Sequence, residues 1–127
     1  MKETIKTPPY RNNFVPVVHC VYEFYKLFHN YLRFFTKIER YSVGGKIELI
    51  ILDTIELLIK ATQTENIEKI KFLKKADIKI QLLKLLVRLA YETKSIDIKK
   101  YVELEKYLNE IGKMLGGWIN YSQKKNL

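Results

Sequence analysis

The stretch that decides the fold is residues 67–94, which read IEKIKFLKKADIKIQLLKLLVRLAYETK. It holds no proline or glycine, and its apolar residues recur at three- and four-residue spacings, which predicts one long α-helix. At 3.6 residues per turn, these residues form two stripes on roughly opposite sides of that helix. The first stripe consists of Leu73, Ala76, Ile80, Leu83, Val87 and Ala90, and the second of Ile78, Leu82, Leu85, Leu86 and Leu89.

The core of a single bundle cannot cover both stripes, because the outer side of each helix in a four-helix bundle faces water. We expect the first stripe to face the core and the second to be an oligomer interface, since monomers seldom leave such apolar patches open. A sister copy is the most economical partner. The alternatives are a different protein on that stripe, or a skewed bundle in which this helix is central.

Breaker residues divide the rest of the chain into an amino-terminal arm and three further helical runs. Pro16 suits the first turn of a helix, which is predicted to end near residue 36. A loop over 37–45 leads into the second helix, which ends near residue 62, and residues 63–66 connect it to the third. Ser95 and Asp97 are capping types at the start of the fourth helix. The residues of this helix predicted to face inward are Tyr101, Leu104, Leu108, Ile111, Leu115 and Trp118.

The predicted fold class is therefore all-α, an antiparallel up-down-up-down four-helix bundle that assembles into a ring-like homo-oligomer. The predicted organisation is an extended arm over 1–15, the bundle over 16–122 and a frayed tail over 123–127. The inward residues expected on the first two helices are Val17, Val21, Phe24, Phe28, Tyr31, Leu32, Phe35, Ile47, Ile50, Ile51, Thr54 and Leu58.

Length and composition narrow the class of protein. The 127 residues fit one domain, and 47% hydrophobic residues suffice for a core. Five glycines and three prolines are too few for the regular turns of a sandwich or barrel. A single cysteine excludes an intrachain disulfide and a multi-thiolate metal site. Charges interrupt the most apolar stretch and the amino terminus is polar, so we expect a soluble, cytoplasmic protein.

The net charge of +9 suggests a polyanionic partner. Tyr22, Lys26, His29 and Arg33 recur at helical spacing on the first predicted helix, opposite its core face, and Lys37 and Arg40 continue this row. Lysine and arginine at such spacing can contact successive phosphates. The third helix carries a similar row, diluted by acidic residues, so the candidate nucleic-acid-binding residues are Lys26, Arg33, Lys37, Arg40, Lys74, Lys84 and Arg88. The alternative is that both rows are ordinary hydrated faces of a lysine-rich chain.

The sequence offers no catalytic arrangement. His19 and His29 are ten residues apart, about 15 Å along a helix, which is too far to share a metal ion. Cys20 has only His19 beside it as a base, and neighbouring helical side chains diverge by about 100°. A helical nucleotide pyrophosphatase would need two paired acidic motifs, and Glu65 and Glu68 form only one such pair. We interpret them as residues at the start of a helix, where carboxylates oppose the helix dipole. We therefore expect no enzyme, no metal and no cofactor.

The loop and the last helix resemble a known family. Residues 35–44, FTKIERYSVG, and residues 110–118, EIGKMLGGW, are similar to the accessory variability determinant proteins of diversity-generating retroelements. The resemblance extends from Pro16 to Tyr121. Thr36 and Val43 stand where the family usually has Pro and Leu, and both are conservative in a turn. A related four-helix family encoded in ribosomal RNA intervening sequences has Asn-Ile-Ala-Glu-Gly in its second helix. This chain has LDTIE at 52–56, which argues against membership of that family.

The resemblance implies a basic homopentamer of four-helix protomers. It also implies binding to the retroelement reverse transcriptase and to RNA or DNA, in support of mutagenic complementary DNA synthesis. The chemistry would belong to the polymerase. The alternative is a protein of another class, a non-catalytic helical scaffold that oligomerises or binds a partner protein. In this alternative, which includes the intervening-sequence type, the lysines serve only solubility.

Overall fold

The computed structural model describes residues 15–125 of the chain, and within that range it contains helices and no strand. Four long helices form a bundle: α1 (Val15–Tyr31), α2 (Gly45–Thr62), α3 (Asn66–Glu92) and α4 (Ile98–Lys125). The all-α class and the four-helix bundle are thus confirmed. Pro16 lies in the first turn of α1, as its missing N–H predicts. The rest of the predicted arm, residues 1–14, lies outside the described residues.

The connection between α1 and α2 differs from the prediction. We expected α1 to continue to about residue 36, but it ends at Tyr31 and is followed by a 3₁₀ turn, Leu32–Phe34. The predicted loop is a single α-helical turn, Lys37–Glu39, followed by a π-helical turn, Arg40–Gly44, that leads directly into α2. The physical reason is at Thr36, whose backbone is extended and whose hydroxyl accepts the Glu39 N–H at 3.2 Å, which starts a new helical turn.

The buried core lies on the helix faces that the periodicity predicted to point inward. All six residues of the first stripe of α3 are at most 1% exposed, and Phe24 and Phe28 of α1 are fully buried. Four of the expected inward residues, Tyr31, Ile50, Tyr101 and Trp118, are only half-buried and pack against the edge of this core. Thr54, the one polar residue on the buried face of α2, donates its hydroxyl to the Ile50 carbonyl at 2.7 Å.

Each helix packs against two others. α2 packs against α1 and α3, and α4 packs against α3 and α1, whereas the backbones of α1 and α3 lie diagonally opposite without a close approach. Pairs of side chains mark the four seams: His29 with Glu48, Asp53 with Lys79, Tyr91 with Tyr101, and Tyr31 with Glu103. The two helices with predicted basic rows are therefore on separate corners of the bundle.

The turn between α3 and α4 is short and well capped. Lys94 has a left-handed backbone with φ 67°, and Asp97 Oδ1 accepts the Lys100 N–H at 2.9 Å, as its predicted capping role requires. This bond lowers the pKa of the Asp97 carboxyl. Ser95, the other predicted cap, bonds Glu39 instead. α4 then continues to Lys125, three residues into the segment expected to fray, while residues 126–127 lie outside the described range.

Within residues 15–125, the bundle has no helix with the length and apolar character needed to cross a membrane.

Candidate nucleic-acid interface

The predicted row on α1 lies on its outer face. Tyr22, Lys26, His29 and Arg33 are all exposed. Two of them have carboxylate partners, because Lys26 Nζ lies 3.2 Å from Glu23 and His29 Nδ1 lies 3.0 Å from Glu48. Arg33 has no ion-pair partner within residues 15–125, and its guanidinium lies 5.9 Å from the centre of the Phe34 ring. Of the charged groups in this row, Arg33 is the one most available to a phosphate.

The row does not continue evenly into the connection. Lys37 is exposed and lacks a carboxylate partner in the described part of the chain. Arg40 is half-buried, one of its terminal nitrogens lies 3.5 Å from the Phe35 carbonyl oxygen, and its Nε is buried without a hydrogen-bond partner among the described residues. The Arg40 side chain is therefore held largely against the protein, and Lys37 is the better placed of the two.

The row on α3 is partly neutralised. Arg88 Nε donates to Glu92 at 2.9 Å, and this bond raises the pKa of the guanidinium. Lys84 is half-buried, and Gln81 donates to Asp77 at 3.0 Å within the row. Lys74 is exposed and has no ion pair with another described residue. Because exposed ion pairs contribute only about 0–1 kcal/mol, a phosphate can replace the carboxylate at Arg88.

The structure brings some of the candidate residues to one end of the bundle and separates the others. The carboxylate of Glu39 bonds both Thr93 and Ser95, so the α1–α2 connection and the α3–α4 turn are at the same end. Arg33, Lys37, Arg40 and Arg88 belong to this end. Lys26 and Lys74 are one or more turns away, on diagonally opposed helices, so the seven residues do not form one continuous patch on a single chain.

A further basic row on α4 was not predicted. Lys99, Lys106 and Lys113 are exposed, recur every seven residues, and have no ion pair within residues 15–125. Seven residues are nearly two helical turns, so the three ammonium groups share one side of α4 at intervals of about 10 Å. The seven-residue spacing was visible in the sequence and could have revealed this row.

The second stripe of α3 is open to solvent in the single chain. Ile78 and Leu85 are each 64% exposed, Leu89 is 42% exposed and Leu82 is 38% exposed, whereas Leu86 is half-buried against the core. Four of the five residues predicted to meet a partner therefore lie on an outward apolar surface.

The histidines and the cysteine are arranged as the sequence suggested. His19 Nε2 lies 3.8 Å from Glu23, and His29 pairs with Glu48, so each has a carboxylate neighbour of its own. Burial and the nearby carboxylates of Glu110 and Glu23 raise the pKa of the Cys20 thiol, which disfavours the nucleophilic thiolate. In the described range, no group of three or more His, Cys, Asp or Glu residues could hold a metal ion.

The acidic pair at the start of α3 has a modest structural role. Glu68 lies in the first turn, where a carboxylate opposes the helix dipole, and it lies 3.9 Å from Lys71. Glu65 occupies the cap position but its side chain makes no capping hydrogen bond.

Comparison with known proteins identifies one family. The sequence model of one family, described as bAvd-like, matches residues 17–122, which is nearly the whole described bundle. No curated protein matches the chain.

Proposed function

This chain belongs to the bAvd-like family, and from that membership we propose that it is the accessory protein of a diversity-generating retroelement. In this role it binds the retroelement reverse transcriptase and its template RNA in the cytoplasm, and so supports mutagenic synthesis of complementary DNA. The family is an accessory, non-catalytic type, so the polymerase carries out the chemistry.

The observation that carries the RNA-binding part is the set of outward cations without carboxylate partners in the described range, within a chain of net charge +9. Arg33, Lys37 and Lys74 are the predicted members of this set, and Lys106 and Lys113 extend it. Each phosphate that such a cation neutralises releases condensed counterions, which favours binding to any polyanion. Lys26, Arg40 and Arg88 remain proposed contacts that must first exchange or extend their present interactions. The half-buried Lys84 also remains a proposed contact.

The proposed assembly is a homopentameric ring of up-down-up-down bundles, as the family resemblance implies. The contact between Tyr31, at the end of α1, and Glu103, near the start of α4, supports the up-and-down order. The second stripe of α3 would be covered by a sister copy, because its four exposed residues would otherwise leave a continuous apolar surface in water.

Two variants test the α3 row. The double variant Lys84→Glu, Arg88→Glu reverses two charges of this row. It should bind RNA more weakly, as measured by fluorescence anisotropy, and its helical circular dichroism should be unchanged. Lys60→Glu is the control for one charge reversal outside this row, since Lys60 lies in an exposed i,i+4 ion pair with Glu56 on α2, as Arg88 does with Glu92 on α3. Equal affinity of the double variant and the control at low salt would remove the α3 row from the interface.

Association with the polymerase has its own test. The reverse transcriptase of the same retroelement should co-purify with the tagged chain from cells that express both. Failure to co-purify after nuclease treatment, with the chain folded, would contradict the proposed partner.

A protein-only scaffold is the second candidate, favoured by the open apolar stripe on α3 and by the ion pairs of Lys26 and Arg88. A scaffold would oligomerise without RNA and without a salt-dependent affinity for it.

A further inference from the structure

The α1–α2 connection presents the two most exposed large apolar side chains of the described range. Ile38 is 81% exposed and Tyr41 is 74% exposed, and Phe34, in the 3₁₀ turn before them, is 55% exposed. We call these three residues the connection surface. The next residue, Phe35, is only 3% exposed. Of these two neighbouring rings, one is therefore buried in the core and the other is on the surface.

Hydrogen bonds fix the turn that carries the connection surface. Thr36 caps its helical turn, and the Ser42 hydroxyl donates to the Ile38 carbonyl at 2.9 Å. Glu39 accepts the Thr93 hydroxyl at 3.1 Å and the Ser95 hydroxyl, which ties the turn to the far side of the bundle end. These bonds fix the backbone that carries Ile38 and Tyr41, so little backbone entropy remains to be lost when a ligand binds.

The ring of Phe34 is supported from one side. Lys100 Nζ lies 4.3 Å from the ring centre, and the same ammonium lies 3.4 Å from Asp97. An ammonium at this distance is attracted to the ring face and steadies the ring. With 55% of Phe34 exposed, the ring keeps surface free for a second flat group.

Arg33 and Lys100 lie beside the Phe34 ring, and the carboxylates of Asp97 and Glu39 each have a partner. Arg33 and Lys37 have no ion pair in the described range, and Glu39 directs its carboxylate to Thr93 and Ser95. A partner for this end should therefore combine negative charge with flat apolar groups. Unpaired nucleotides have both, since each carries a phosphate and a base whose π-face can stack on an aromatic side chain.

We propose that the connection surface binds single-stranded nucleic acid, with bases stacked on Phe34 and Tyr41 and phosphates held by Arg33 and Lys37. This inference rests on the proposed nucleic-acid-binding function and adds a preference for unpaired strands. A duplex keeps its base faces stacked within the helix, so its phosphates can bind the cations but its bases cannot stack on Phe34 and Tyr41.

The test compares two probes on the same proteins. The probes are a fluorescently labelled, unstructured 20-nucleotide RNA and the duplex of the same sequence, titrated at one low salt concentration. The variants are Phe34→Ala, Tyr41→Ala and the double variant, with Phe34→Trp and Tyr41→Phe as conservative replacements. Tyr121→Ala is the matched control, because Tyr121 is 63% exposed, has Lys125 Nζ 5.8 Å from its ring, and lies near the end of α4, at the opposite end of the bundle.

Each alanine variant should weaken binding of the single strand at least about fivefold. Binding of the duplex should change less than twofold. The conservative variants and Tyr121→Ala should bind like the wild type, and all variants should keep their helical content, because the changed side chains lie outside the core.

Several results would overturn the inference without affecting the proposed function. These are equal losses for both probes, no loss in the double variant, or a loss of reverse transcriptase binding with RNA affinity intact, which would assign the surface to a protein. A wild-type protein that binds neither probe would overturn both this inference and the RNA-binding function.

Discussion

The carboxylate of Glu39 accepts a hydrogen bond from the buried hydroxyl of Ser95, 56 residues further along the chain. This bond joins the α1–α2 connection to the α3–α4 turn. Ser95 is 5% exposed, so removing its acceptor would leave a buried hydroxyl without that partner.

We therefore expect Glu39→Ala to lower the free energy of unfolding by about 1–3 kcal/mol. Urea denaturation followed by circular dichroism measures this. Glu92→Ala serves as the control, since it removes only an exposed ion pair with Arg88 and should cost no more than about 1 kcal/mol. Equal stabilities of the two variants would show that the Glu39 bond does not secure the connection.

The two glycines before α2 should respond differently to alanine. A Cβ at Gly44 would lie 2.7 Å from Leu32 Cδ2 and 3.2 Å from the Glu39 carbonyl oxygen, whereas at Gly45 the nearest atom is 3.8 Å away. Gly44→Ala should therefore destabilise the protein by about 1–3 kcal/mol through overpacking. Gly45→Ala should be neutral or slightly stabilising, because alanine favours a helix over glycine. Thermal melts of both variants give the comparison, and a harmless Gly44→Ala would contradict the close packing of the π-helical turn.

The sequence predicted the parts of this fold that depend on periodicity. The two stripes of α3 were visible because each repeats over several turns, and Asp97 was recognisable as a cap because it precedes a helix. The Glu39–Ser95 bond joins segments 56 residues apart, which no local pattern contains. The early end of α1 was missed because the apolar spacing continues through Leu32 and Phe35, although the local Thr36 cap starts a new turn there. The sequence also predicted Arg40 in an exposed row, whereas the side chain is half-buried and one of its terminal nitrogens lies 3.5 Å from the Phe35 carbonyl oxygen.

The open stripe of α3 should control self-association. Leu85→Glu places a charge where a sister copy is proposed to pack, and Leu85 is 64% exposed, so the single chain should still fold. Light scattering should change from a multiple of the chain mass to the mass of one chain. Ile38→Glu, a change at an 81% exposed residue of the connection, should leave the oligomer intact. A wild-type protein that is monomeric, or an oligomer unaffected by Leu85→Glu, would contradict the proposed interface.

Alkaline pH should weaken the seam between α1 and α4. Burial and the hydrogen bond to Glu103 raise the pKa of Tyr31 from 10.0 to about 12. The neutral phenol is the form that the folded state favours, so its contribution to stability is complete below pH 10 and is lost as the pH rises from about 10 to 12. Denaturation at several pH values should show a smaller loss in Tyr31→Phe than in the wild type, because burial also raises the pKa of Tyr25 and of Tyr101, which both proteins keep. Equal alkaline sensitivity of both proteins would contradict this assignment.

The most direct test of the proposed function is the salt dependence of RNA affinity, compared between the wild type and the double variant Arg33→Gln, Lys37→Gln. Each phosphate contact to a single strand contributes about −0.7 to the slope of log K against log salt, so several contacts predict a steep slope. Removing two of them should reduce its magnitude by about 1.4. An affinity that does not change with salt, or no binding in dilute buffer, would contradict the account.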